Sequence, residues 1–148
     1  MANDGNGGPI LVLEDSDEDF DTLEDAFRRA RRPGTLVRAK SGDEALGLLQ
    51  GMGAAPLRPC LVVLDLNTPG LDGRQVLAEI RASRSHRCTP VVVLTTSTNP
   101  RDMAGCYAAG ANACHVKPVQ YPDHLAVVET LLAYWLGSVM LPPSDLQA

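Results

Sequence analysis

Five short apolar segments that alternate with five segments of helical periodicity are the feature that most constrains this fold. Each apolar segment is about four or five residues long, which suits a strand buried on both faces and is too short for an ordinary helix. Strands and helices that alternate in this way predict an α/β domain with a parallel sheet and helices on both faces. The apolar segments lie at 10–13, 35–39, 61–64, 90–94 and 113–116, and the helical ones begin near 17, 41, 73, 99 and 121.

Length and charge exclude several classes of protein. The chain has 148 residues and a net charge of -5, which predicts one domain and argues against a nucleic-acid binder. It has no apolar run of membrane-spanning length and, at residues 1–8, no signal peptide, so we expect no membrane partner, a flexible leader and a cytoplasmic location. Its four cysteines are widely spaced, which favours reduced thiols over a metal or disulfide framework.

Polar side chains follow four of the predicted strands at the point where each strand ends. They are Glu14 with Asp15, then Asp65, Thr95 and Lys117. Right-handed crossovers place the carboxyl ends of all parallel strands on one edge of the sheet, where ligands bind in such folds. The sequence therefore predicts a site that contains three acids, one hydroxyl and one ammonium.

These residue types indicate a particular chemistry. Three carboxylates in one crevice repel one another, and a cation such as Mg²⁺, which prefers oxygen ligands, relieves the repulsion. A metal, a hydroxyl and an ammonium together can bind the anionic oxygens of a phosphoryl group. The central carboxylate, Asp65, is then the natural acceptor, because aspartate can form a covalent phosphate.

Several neighbouring residues have simpler interpretations. The acids between 17 and 21 are expected to be solvated at the start of a helix, and Asp72 is expected to cap the next helix. Thr96 or Ser97 could take the place of Thr95 after a one-residue shift, but we assign both to the loop after the strand.

These residues resemble those of the receiver domain of two-component response regulators, over roughly 10–136. The resemblance is carried by the acidic pair 14–15, by LDLNTPGLDG around Asp65, by VVVLTTS around Thr95 and by VKP around Lys117. It implies a flavodoxin-like, doubly wound sheet of five parallel strands in the order 2-1-3-4-5, with five helices.

The resemblance also implies roles for individual residues. The carboxylates of Asp15 and Asp65 and the backbone carbonyl of Asn67 would bind Mg²⁺ directly. Glu14 would act on the metal through a water molecule.

The resemblance further implies how the phosphoryl group is bound and supplied. Thr95 and Lys117 would contact the phosphoryl oxygens, and the donor would be a phosphohistidine on a sensor histidine kinase. Pro118, directly after the lysine, would be a cis-proline.

One position departs from the family pattern. Cys114 stands three residues before the lysine, where the family often has an aromatic side chain that moves on activation. We therefore expect a smaller side-chain movement here. The LTTSTNP loop and the AYWLG segment resemble stand-alone regulators that pair with phytochrome-type histidine kinases, which makes a bacteriophytochrome a candidate partner.

The last predicted helix carries two apolar stripes. A helix that is apolar on two sides is usually buried on two sides, so one side would face the sheet and the other a partner. The alternative is that the tail folds back on its own domain. We favour a homodimer in which a receiver domain at 9–137 is followed by a tail at 138–148 that serves as a dimer arm. The candidate interface residues are Val127, Leu131, Tyr134 and Trp135.

Three functions fit these residues to different degrees. The first is a non-enzymatic phosphoacceptor whose output is made by protein–protein contacts. The second is a phosphate-ester hydrolase with an aspartyl intermediate, which Asn67 disfavours because such enzymes usually have an acid two residues after the nucleophile. The third is a scaffold that no longer takes phosphate, and the complete set of strand-end residues argues against it.

Overall fold

The fold is a five-stranded parallel sheet flanked by five helices in the computed structural model, which describes residues 8–68 and 72–142. The strand order is β2-β1-β3-β4-β5, as predicted. Most of the predicted leader, residues 69–71 and residues 143–148 of the predicted tail lie outside the described residues. The strands are β1 (Ile10–Leu13), β2 (Leu36–Ala39), β3 (Leu61–Asp65), β4 (Val91–Thr95) and β5 (Ala113–Val116); the helices are α1 (Asp17–Ala30), α2 (Gly42–Gln50), α3 (Gly73–Ala82), α4 (Pro100–Ala108) and α5 (Tyr121–Ala133).

Alternate residues of the inner strands enter two separate hydrophobic layers. In β1, Ile10 and Val12 pack in the layer shared with α1 and α5. Leu11 and Leu13 pack in the layer shared with α2, α3 and α4. Because both faces of β1, β3 and β4 are covered, their residues are buried along the whole strand, which explains the continuous apolar runs in the sequence.

Side-chain caps fix where the helices begin beside the carboxyl edge of the sheet. Ser16 accepts a hydrogen bond from the Asp19 N–H at the start of α1. Asp72 forms a reciprocal capping box with Gln75 at the start of α3, as expected for a turn residue. Asn99 caps α4 by accepting from the Arg101 N–H. These caps fix the first turns of α1, α3 and α4.

The last helix buries more of its surface in its own domain than the sequence suggests. α5 continues through a wider π-helical turn at Tyr134–Ser138. Leu131 is 1% exposed and belongs to the layer between the sheet, α1 and α5. It has no surface left for a second copy, so its assignment to a dimer interface is wrong. The physical reason is that α5 packs against both the sheet and α1. These two neighbours together bury more of the helix circumference than a single apolar stripe.

The first residues of the tail fold back on the domain. Leu141 is 4% exposed and lies in the same layer as Leu131, and Val139 packs against that layer. Met140, between them, is 86% exposed. This part of the tail therefore follows the alternative in which it covers its own core.

The Lys117–Pro118 peptide bond is trans, as are all peptide bonds of the described residues. The prediction of a cis-proline at Pro118 is therefore wrong. Bonds to proline favour the trans form by about 0.5–1 kcal/mol. The Lys117 N–H donates to the Thr95 carbonyl at 2.6 Å, so strand pairing positions the lysine with the trans bond after it. In the part of the chain that the structure describes, we find no helix long and apolar enough to cross a membrane.

Candidate functional site

The structure brings the acid after β1, the last residue of β3 and the lysine after β5 into direct contact. Lys117 Nζ donates hydrogen bonds to Glu14 Oε1 at 2.7 Å and to Asp65 Oδ2 at 3.0 Å. The side chains of all three residues are between 6% and 8% exposed. Buried charges are stable in proteins when they are paired and hydrogen-bonded, and these three groups satisfy one another.

Strand register explains why these residues meet. Leu13 of β1 pairs with Leu64 of β3, so the next residue of each strand is an acid, and the two acids are neighbours. On the other side, Asp65 pairs with Leu94 of β4. Thr95 therefore ends its strand one residue further along the same edge.

Burial and pairing act in opposite directions on these groups. Burial raises the pKa of Glu14 to about 7. The hydrogen bond and charge of Lys117 oppose this rise, and the charge of Asp65 adds to it. Burial alone would lower the pKa of Lys117, but its hydrogen bonds to Glu14 and Asp19 and the nearby acidic charges hold that pKa above its usual value. Lys117 is therefore a fixed positive charge in this site, and a second cation beside Glu14 would further favour its ionised form against the cost of burial.

Three carboxylates form a cluster that can hold a metal ion. Glu14, Asp15 and Asp65 each place one oxygen so that the three oxygens lie within 4.8 Å of one another. Glu14 and Asp65 are buried, whereas Asp15 is exposed and faces solvent. An all-oxygen donor set that is open to water on one side fits a hard divalent cation, which retains part of its hydration. A cation at this place would also counter the mutual repulsion of the three acids.

Backbone groups hold the central acid in a fixed orientation. The Asn67 N–H donates to Asp65 Oδ1 at 3.0 Å, while Lys117 occupies Oδ2. Gly73 approaches so closely that a Cβ atom there would lie 2.7 Å from the Asp65 carbonyl oxygen. A larger residue would displace the end of β3, so the start of α3 depends on this glycine. Ligation of a metal by the Asn67 carbonyl remains a prediction.

The hydroxyl residues after β4 have distinct surroundings. Thr95 is 2% exposed, and its Oγ1 accepts from the Ser97 N–H at 3.1 Å. Ser97 Oγ donates to Asp102 in the first turn of α4 at 2.6 Å. Thr96 is exposed and accepts from the Asn67 side chain. Thr95 is thus the hydroxyl at the strand end, and Ser97 belongs to the loop that leads into α4.

Asp19 is a residue of the site that the sequence does not reveal. It lies in the first turn of α1, where acids are usually solvated and favour the helix dipole. In the structure its Oδ2 accepts a hydrogen bond from Lys117 Nζ at 2.9 Å, and its Oδ1 lies 3.8 Å from Nδ1 of the buried His124 on α5.

Arg38 is a second residue that sequence reasoning missed. Its Nε donates to the Glu14 backbone carbonyl at 3.0 Å, and its Nη1 lies 2.8 Å from Asp17 Oδ1. The guanidinium also lies 4.8 Å from the centre of the Phe20 ring. Arg38 therefore connects β2 to the loop that carries the acidic pair. A single arginine in a weakly apolar strand gives no sequence signal for this role.

An aromatic side chain does lie beside Cys114, although it comes from a different element. Cys114 is half-buried on β5, and its N–H donates to the Tyr107 hydroxyl of α4 at 3.1 Å. Burial and, to a smaller extent, the neighbouring Cys106 raise the pKa of the Cys114 thiol to about 11. The thiol is therefore protonated and behaves as a small apolar group at this position.

Sequence comparison identifies relatives across nearly the full length of the chain. The chain is 36% identical over 136 residues to the response regulator Rcp1 of a Synechocystis species, covering 90% of this chain and 92% of that protein. The fold is similar to the crystal structure of the Mn²⁺-bound form of Rcp1, with a TM-score of 0.85 and 33% identity over 91% of this chain and 99% of that one.

Two further solved structures resemble this chain. One is the phosphorylated cyanobacterial phytochrome response regulator RcpA, with a TM-score of 0.86 and 34% identity, covering 91% of this chain and 98% of the other. The second is the bacteriophytochrome response regulator AtBRR, with a TM-score of 0.67 and 33% identity, covering 84% of this chain and 91% of that one.

Family assignment agrees with the fold and with these relatives. Residues 10–129 match the family described as the response regulator receiver domain. That span includes all five strands, four of the helices and most of α5. The chain therefore belongs to the response regulator receiver domain family.

Proposed function

We propose that Asp65 accepts a phosphoryl group, with Mg²⁺ bound by Asp15, Asp65 and the Asn67 carbonyl and with Glu14 acting through water. The observation that carries this proposal is the contact of Lys117 Nζ with Asp65 at 3.0 Å beside the three-carboxylate cluster. Phosphoryl transfer depends on positioning and on stabilising negative charge. When bound, Mg²⁺ would neutralise charge on the transferred group.

The chain's own residues would supply the rest of the site. Lys117 brings a fixed positive charge to the acceptor, and the buried Thr95 ends the neighbouring strand within the same edge. We assign both to the phosphoryl oxygens. The Asn67 N–H keeps the Asp65 carboxylate oriented. The protein is then a phosphoacceptor in two-component signalling, without a substrate that it turns over.

A sensor histidine kinase would supply the phosphoryl group from a phosphohistidine, and we propose a phytochrome-type kinase. Support comes from the relatives, two of which are described as phytochrome or bacteriophytochrome response regulators. These comparisons cover at least 84% of this chain. The similarity therefore extends over the receiver surface and is not confined to the strand ends.

Intact-mass measurement with a small phosphodonor tests the proposed function. With Mg²⁺ and acetyl phosphate, we expect the wild-type protein to gain the mass of one phosphoryl group, and Asp65→Asn to gain none. A phosphohistidine-loaded phytochrome-type kinase should give the same adduct faster. Continuous phosphate release from unrelated phosphate esters would favour the hydrolase, and an unmodified wild-type protein would favour the scaffold.

We also propose that phosphorylation is read out through protein contacts and that the protein forms a homodimer through α5 and the turn after it. Of the predicted interface residues, Tyr134 is 52% exposed, and Val127 and Trp135 are partly buried. The Tyr134 and Trp135 rings contact each other edge-to-face at 5.1 Å. An aromatic pair that is partly open to solvent is a frequent interface element.

Sedimentation at micromolar concentration tests the dimer. We expect a wild-type dimer and a Tyr134→Asp monomer, because a charge at the centre of an apolar interface lacks a partner. Met52→Asp, which changes a residue that is 76% exposed after α2, should leave the dimer intact. A monomeric wild-type protein at these concentrations would contradict the proposal.

A further inference from the structure

Lys117 has no free hydrogen-bond donor for an incoming phosphoryl group. Its ammonium carries three N–H donors. All three have carboxylate acceptors: Glu14 at 2.7 Å, Asp19 at 2.9 Å and Asp65 at 3.0 Å. For Lys117 to contact a phosphoryl oxygen while Asp65 stays in place, one of the other two acids must give up its hydrogen bond.

Exposure decides which acid leaves. The Glu14 side chain is 6% exposed, so it would lose its partner in a buried environment, where an unpaired charge is costly. The Asp19 side chain is 32% exposed, so water can replace the lysine. Asp19 also has a second neighbour, because its Oδ1 lies 3.8 Å from His124 Nδ1. Breaking the hydrogen bond between Lys117 and Asp19 therefore costs less free energy than breaking the one between Lys117 and Glu14.

We propose that Asp19 is a positioning residue that competes with the phosphoryl group for Lys117 and thereby sets the rate of phosphorylation. This inference rests on the proposed function. In the reaction with acetyl phosphate, an Asp65 carboxylate oxygen forms a bond to phosphorus while the bond from phosphorus to the acetyl oxygen breaks, and acetate leaves with that electron pair. No net proton transfer is needed. One Lys117 N–H moves from Asp19 to a phosphoryl oxygen.

The charge of Asp19 also opposes the donor. Asp19 and Asp65 both lie within hydrogen-bond distance of one nitrogen atom, so the Asp19 carboxylate is close to the place where the phosphoryl group arrives. Like charges at this separation repel, and salt screens the repulsion. Removing the charge should therefore accelerate phosphorylation and weaken its dependence on ionic strength.

The test is the second-order rate constant for phosphorylation of the full chain, measured by intact mass with Mg²⁺ present. We expect Asp19→Asn to raise the rate with dianionic acetyl phosphate at least threefold, with a smaller gain for phosphoramidate, whose net charge is lower. Asp19→Glu should stay near the wild-type rate. Asp17→Asn is the matched control, because Asp17 lies in the same turn but pairs with Arg38 and Lys40.

Outcomes separate this inference from the proposed function. A wild-type protein that takes no phosphate would overturn both. A labelled wild-type protein with equal rates for Asp19→Asn and Asp17→Asn, or with a slower Asp19→Asn, would overturn only the role of Asp19. Thermal midpoints check that each variant is folded, and Asp19→Ser replaces Asp19→Asn if the latter is not.

A second readout does not depend on turnover. If Lys117 releases Asp19, the carboxylate is free to move towards His124 on α5. The phosphoryl mimic beryllofluoride, added with Mg²⁺, should then shift the His124 ring resonances more in the wild-type protein than in Asp19→Asn. His86, in the segment between α3 and β4 at the opposite edge of the sheet, provides the internal reference. Equal shifts of His124 in both proteins would contradict the proposal.

Discussion

Asp15→Asn is expected to remove most of the Mg²⁺ binding of this protein and, with it, phosphorylation at Asp65. Asp15 provides one of three carboxylate oxygens that lie within 4.8 Å of one another. Two unit charges about 4 Å apart attract by about 4 kcal/mol at an effective dielectric constant near 20. A carboxylate that ligates a divalent cation is nearer than that, but the water and salt around the exposed Asp15 reduce the gain. We therefore expect a loss in Mg²⁺ affinity on the order of 100-fold.

Thermal unfolding measures this effect without any phosphodonor. Ligand at about ten times its dissociation constant stabilises a protein by about 1.4 kcal/mol, which corresponds to a rise of roughly 3–6 °C in Tm for a domain of this size. Wild-type protein should show that rise with Mg²⁺ and lose it with EDTA, and Asp15→Asn should show almost none. Asp21→Asn, at an exposed acid of α1, should respond like the wild type. An equal response of Asp15→Asn would place the metal elsewhere.

Leu131→Ala is expected to lower the free energy of unfolding by about 2–5 kcal/mol, the usual cost of a cavity at a buried leucine. Leu131 is 1% exposed and packs in the layer formed by the sheet, α1 and α5. Denaturant unfolding followed by the fluorescence of Trp135, the only tryptophan, measures the change. Thr130→Ala, at the exposed neighbouring position, should change the free energy by no more than about 0.5 kcal/mol.

Protein concentration distinguishes a core residue from an interface residue. The loss at a core position is the same at every protein concentration, whereas a loss at a dimer interface depends on concentration through mass action. We expect the effect of Leu131→Ala to be independent of dilution. A loss in the free energy of unfolding below about 1 kcal/mol, or a loss that disappears on dilution, would show that Leu131 is an interface residue.

The fold was predictable because its signals are local and repeated. Four or five apolar residues in a row indicate buried strands, and strands that alternate with helices leave few topologies. The strand-end position of Asp65 followed from the same pattern, since its strand runs directly into turn residues. The order of the strands came from the family resemblance.

Residues whose role depends on how helices pack were not predictable. Asp19 has the sequence context of a solvated helix acid, and only the rotation and packing of α1 bring it to Lys117. Leu131 and Tyr134 lie in one apolar stripe of the sequence, yet one is 1% and the other 52% exposed. The neighbouring helix α1 decides which residues of that stripe are buried. The periodicity of one helix carries no information about its neighbour.

Other differences come from the backbone and from distant strands. The form of the peptide bond before Pro118, which is trans, depends on the path of the chain after β5. The Lys-Pro pair in the sequence does not determine it, because the cis and trans forms of a bond to proline differ little in energy. Arg38 contacts the Glu14 carbonyl because β2 pairs with β1. The sequence predicts that pairing, but not the direction of one long side chain.

Borohydride trapping shows whether Asp65 forms an acyl phosphate. Borohydride reduces an aspartyl phosphate to homoserine, which marks the modified residue permanently for peptide mapping. After incubation with Mg²⁺ and acetyl phosphate, we expect homoserine at position 65 in the wild-type protein and no homoserine in Asp65→Asn. Homoserine at Asp15 or at another acid, or an unmodified wild-type protein, would contradict it.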